Sequence, residues 1–137
     1  MRNAFIQIAT LCEGATFKNG ADRGPTSIEG LTTSFTMPVD GSKPLFPIRL
    51  LLVVNCAPGK RELKLKFRSP AGPGTEVGVH QLEISAGHGG FIHKEHVSLQ
   101  PDAAGNFKIE IWLDGEFIGH IPVSFETPQS AKPKAAN

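Results

Sequence analysis

The feature that most constrains this chain is strict period-two alternation cut into short lengths by glycine and proline. "ELKLKF" (62–67) places Leu63, Leu65 and Phe67 on one side and Glu62, Lys64, Lys66 and Arg68 on the other. Side chains on a strand alternate between faces, so this segment reads as a strand with one buried face. Helical periodicity is missing along the whole chain. The 15 glycines and 11 prolines fall as punctuation between apolar runs, which implies many turns and hence many strands.

Other segments follow the same rule. "NAFIQIATL" (3–11), "TSIEGLTTSFTM" (26–37), "EVGVHQLEI" (76–84) and "GFIHKEHVSL" (90–99) are expected strands. "IRLLLVVN" (48–55) is nearly continuous in apolar character, as a strand at a sheet centre or covered on both faces would be. "FKIEIWLDGEFIGHIPVSF" (107–125) reads as a hairpin. A two-residue turn at Asp114-Gly115 would set Ile109 against His120 and mix polar with apolar partners. A bulge with Gly115 in the left-handed region instead sets Phe107, Ile109 and Ile111 on a face with Phe117, Ile121 and Val123. The second register is the expectation, because a one-residue slip turns every side chain over.

The 137 residues form one expected domain over 1–126, with "TPQSAKPKAAN" (127–137) as a disordered tail lacking apolar periodicity. The fold class expected is all-β, an antiparallel β-sandwich of about seven or eight strands, immunoglobulin-like or related. Leu63, Leu65, Phe67, Ile109 and Ile111 should point inward.

Net charge is +1, so no global field attracts nucleic acid or anionic lipid. The apolar start "MRNAFIQIATLC" is short, contains Gln7 and lacks a small-residue cleavage site, and no run approaches a membrane span. A cytoplasmic protein with free Cys12 and Cys56 is expected.

An opening "AFIQIATLCEGA", then "TSIEGLTTSFTMP", "IRLLLVVNCAPGKRELKLKFRSPAG" and a closing "GNFKIEIWLDGEFIGHIPVSF" occur in a recognisable order. Across roughly residues 4–125 the chain resembles a bacterial family of small uncharacterised proteins with a domain of unknown function. The resemblance implies a β-sandwich; it implies no activity and no site residue.

For chemistry, "HGGFIHKEHVSL" draws the eye, with His80 upstream. A metal site needs three or four ligands converging on one point. Alternation sets His93 and Glu95 with Phe91, Val97 and Leu99, whereas His96 lies with Ile92, Lys94 and Ser98 on the other face. Solvent-facing or rim histidines are therefore the primary reading, and a metal centre or metal-dependent enzyme using His93, Glu95 and His96 is the alternative. The serines include no nucleophile elbow, and "PAGPG" and "AGHGG" are turns without a phosphate-binding lysine. No catalytic residue and no cofactor are expected. Lys64, Lys66 and Arg68 form a basic stripe read as a solvated face that discourages edge pairing. Trp112 alternates away from the core, with Phe117 or Ile118 across the hairpin; it either anchors a partner or caps the sandwich. The expected function is a non-catalytic binding or assembly module acting through Trp112, Phe117 and Ile118. Its partner would be a protein or a second copy, not nucleic acid or membrane.

Overall fold

The structure is a computed structural model that describes residues 4–16, 27–40, 42, 44–70, 72 and 74–128. Residues 17–26 and the segment from 129 onward, where a disordered tail is expected, lie outside the described residues. The fold is all-β: among the described residues there are strands and turns and no helix. The strands are β1 (Phe5–Cys12), β2 (Gly14–Thr16), β3 (Ser27–Glu29), β4 (Ser34–Thr36), β5 (Phe46–Asn55), β6 (Gly59–Arg68), β7 (Gly74–Ile84), β8 (Gly90–Leu99), β9 (Gly105–Leu113) and β10 (Glu116–Glu126).

They form a three-stranded sheet in the order β1-β5-β8, a five-stranded sheet in the order β4-β10-β9-β6-β7, and a small ribbon of β2 and β3. β5 is the central strand of its sheet, which explains why Leu50, Leu51, Leu52, Val53 and Val54 are all buried in succession. The inner faces of both sheets share one apolar core. Leu11, Leu50, Leu52 and Leu99 meet Leu63, Leu65, Ile109, Ile111, Ile121 and Phe125 there. All five residues expected to point inward do so. At one end Phe125 gathers Phe35, Phe46, Phe67 and Phe107 within 6.0 Å between ring centroids, joining both sheets through edge and offset aromatic contacts.

Four expectations change. First, "TSIEGLTTSFTM" is two short strands, because Gly30 takes φ +68° and turns the chain between them. Second, β4 runs parallel to β10, so the five-stranded sheet is mixed; the Ser34 hydroxyl donates to Glu126 Oε2 at 2.7 Å and helps fix this pairing. Third, β6 lies between β9 and β7, so its lysines do not guard an edge. Fourth, the hairpin does close on Asp114-Gly115, with φ of 53° and 80°. Positive φ at both central residues matches the twist of the flanking strands. Asp114 Oδ1 accepts from the Glu62 amide and Oδ2 from Arg61 Nη1, each at 2.8 Å, which locks the turn onto β6.

That turn pairs Phe117 with Trp112, and the register then shifts before Gly119 pairs with Ile111. The bulge at Ile118 restores the parity that the turn alone would break. Ile118, Ile121, Val123 and Phe125 are consequently buried, while Phe117 faces outward and is 37% exposed. The expectation for Ile121 and Val123 holds; the one for Phe117 reverses.

Candidate functional site

Two constellations carry polar or aromatic chemistry. The first lies on the outer face of the five-stranded sheet. Cross-strand pairing lines up Val79, Lys64, Trp112 and Phe117 in one row over four strands. The neighbouring row is Glu76, Lys66, Glu110 and His120. Trp112 meets Phe117 edge-on at 5.6 Å, and His120 stacks beyond Phe117 at 6.5 Å. The Trp112 indole N–H donates to Glu110 Oε1 at 3.2 Å, and Lys66 Nζ sits 4.8 Å from the indole centroid.

Glu110 is the buried carboxylate of this face. Arg68 Nε donates to its Oε2 at 2.7 Å. That hydrogen bond, aided by Trp112 and the charges of Arg68 and Lys108, outweighs burial and holds the Glu110 carboxyl below its ordinary value. Lys64 pairs with Glu76 at 3.3 Å. Of the two residues expected across the hairpin from Trp112, Phe117 is the one that meets it; Ile118 belongs to the core and is not part of this surface.

The second constellation lies where the two sheets approach at one side. β7 is the last strand of the five-stranded sheet and β8 the last of the three-stranded one, and no ladder joins them. His80 faces inward because it pairs with core residue Leu63. His93 and Glu95 share a face of β8 with Val97 and Leu99, as the alternation implied, but that face is the inward one and not a solvent-facing one. Glu95 Oε1 lies 2.7 Å from His80 Nε2 and 2.8 Å from His93 Nε2. The two imidazole centroids are 4.5 Å apart.

His96, the third member of the sequence-derived group, points to the opposite face. There Arg49 Nε donates to its Nε2 at 2.9 Å, so it does not join His93 and Glu95. The residue that does is His80. Sequence spacing held no signal for it, because its approach depends on how two separate sheets curl toward each other. His88 lies in the turn after β7, where its amide donates to Ser85 O at 3.1 Å, and is exposed. Cys12 and Cys56 are free and buried, and burial pushes both thiols up, away from reactivity.

No protein-family model matches this chain, and no curated protein matches it. Among solved structures, a beta-glucosidase from Listeria innocua aligns with TM-score 0.48 and 8% identity, over 71% of this chain and 15% of that one. The same enzyme in complex with glucose aligns with TM-score 0.46 and 7% identity, over 69% and 15%. The Pseudomonas fluorescens alkylpurine DNA glycosylase AlkC, bound to DNA containing an abasic site analog, aligns with TM-score 0.46 and 11% identity, over 90% of this chain and 30% of that one. This chain thus spans 15% of the glucosidase and 30% of the glycosylase. Likeness at that level transfers neither activity nor ligand.

Proposed function

We propose that this chain is a non-catalytic binding domain that docks a second copy of itself through the outer face of the five-stranded sheet. One observation carries this reading: the row Val79–Lys64–Trp112–Phe117. Val79 is 46% exposed and Phe117 37%, so large apolar groups flank a tryptophan on an open sheet. Trp112 is already held by Glu110 and Lys66, so little side-chain freedom remains to be lost on docking. Buried aromatic anchors of this kind dominate protein interfaces.

The charges beside the row favour a two-fold partner. On one side Glu62 and Glu83 outnumber Lys60, and on the other Lys66, Arg68 and Lys108 outnumber Glu76 and Glu110. A two-fold axis running along the row sets the acidic flank of one copy on the cationic flank of the other. Nucleic acid suits this face less well, because Lys64 and Arg68 are engaged by Glu76 and Glu110. Among the described residues no helix is long and apolar enough to cross a membrane. We take the fold to be an immunoglobulin-like sandwich of the bacterial family that the sequence resembles, working in the cytoplasm.

Sedimentation velocity over a dilution series tests the reading. The protein should run as a dimer that dissociates on dilution, and Trp112→Ala and Val79→Glu should each shift it to monomer while the circular-dichroism spectrum stays β-type. A wild-type monomer at every concentration would remove self-docking from consideration.

A further inference from the structure

We propose that His80, His93 and Glu95 bind one divalent transition-metal ion of the zinc type at the seam between β7 and β8. Their ligand atoms all lie within 4.8 Å of one another. Two imidazole nitrogens and one carboxylate oxygen form a donor set suited to a borderline ion, and three protein ligands leave a fourth position for water or an exogenous group.

The packing supports this assignment. The side chains are 31%, 14% and 15% exposed for His80, His93 and Glu95, so the group is partly sheltered yet reachable from solvent. Ligands about 2.0–2.1 Å from a tetrahedral ion stand roughly 3.3 Å apart. The present spacings of 2.7 and 2.8 Å are about half an ångström shorter. The ligands come from two strands that no ladder joins, so small side-chain rotations and a slight parting of the seam open the space.

A separate observation points to the same place. Gly78 lies inside β7, and a Cβ there would stand 2.9 Å from Glu95 Oε2 and 3.2 Å from His80 Nε2. Glycine within a strand commonly marks close approach by another group. Here it leaves room beside the carboxylate that any other residue would occupy. On binding, each imidazole carries its proton on Nδ1 and offers the Nε2 lone pair to the ion, and Glu95 Oε1 exchanges its two nitrogen contacts for one metal bond. In the ion-free protein Glu95 Oε1 accepts from the Nε2–H of each imidazole, so binding the ion moves each ring proton from Nε2 to Nδ1.

The test uses the full chain without a polyhistidine tag, stripped with a chelator and titrated with zinc chloride by calorimetry. Cobalt(II) chloride in a parallel titration reports geometry through its visible spectrum. One ion per chain is expected, with a tetrahedral cobalt spectrum. His80→Ala, His93→Ala and Glu95→Gln should each weaken binding roughly tenfold or more, and Gly78→Ala should weaken it by crowding the carboxylate. His96→Ala, on the opposite face, should bind as the wild type does. Glu95→Gln keeps the side-chain shape, so a folded Glu95→Gln protein with unchanged zinc affinity overturns the proposal. So does the absence of saturable one-to-one binding, or binding abolished by His96→Ala but not by His80→Ala.

Discussion

Phe117 stands directly across from Trp112, ring planes at 63°, because the β9–β10 register shifts after this pair and not before it. A shift inside the turn would have buried Phe117 and exposed Ile118. The placement of one bulge therefore decides whether the outer face carries an aromatic pair.

That arrangement predicts opposite outcomes at adjacent positions. Ile118→Ala removes a buried side chain and should cost about 3 kcal/mol in urea unfolding. Phe117→Ser should cost less than about 1 kcal/mol in the monomer. Equal losses at the two positions would place the bulge elsewhere.

The turn makes its own prediction. Asp114→Gly keeps the positive φ but loses the bonds to Glu62 and Arg61, whereas Asp114→Ala loses both the bonds and the favourable backbone. Alanine should destabilise by about 1–2 kcal/mol, and glycine by less. Thermal melts of the two variants side by side give the order directly.

Acid should weaken the sheet through Glu110. Its carboxyl lies below the ordinary value of 4.5 in the folded state, so the unfolded chain takes up that proton first. Stability from the Arg68–Glu110 pair is complete above that value and is lost as pH falls through the folded one. Asp114 acts in the same direction: burial alone would raise it, but the Arg61 hydrogen bond and charge and the Glu62 amide hold it below 3.8. Unfolding free energies measured from about pH 5 down to about pH 3 should fall less steeply in Glu110→Gln than in wild type. Parallel curves would mean that the pair contributes nothing.

Gly90 tests the approach of β8 to β5. A Cβ at that position would lie 1.9 Å from the Val54 carbonyl oxygen, whereas one at Gly89 would meet nothing within 4 Å. Gly90→Ala must push backbone apart and should destabilise by roughly 1–3 kcal/mol or more. Gly89→Ala should be close to neutral, and a denaturation midpoint for each variant reads the difference.

Much of this was legible in the sequence and some was not, for physical reasons. The burial of Leu63, Leu65 and Phe67 and the central position of β5 follow from patterns local to each strand. The division of β8 into a His93–Glu95 face and a His96 face does too. The hairpin register was misread because turn and bulge act separately, and the pattern reports only their sum. β4, with three residues, was too short to announce its parallel partner. The convergence of His80 on Glu95 arises between sheets, where no periodicity reaches.

The central claim is that two copies meet across Val79, Lys64, Trp112 and Phe117. An isotope-filtered NOE experiment on an equal mixture of labelled and unlabelled protein tests it most directly. Contacts between chains are expected from the Trp112 indole of one copy to the Trp112 and Phe117 side chains of the other. A concentrated sample with no contacts between chains, or with contacts only from other surfaces, would contradict it.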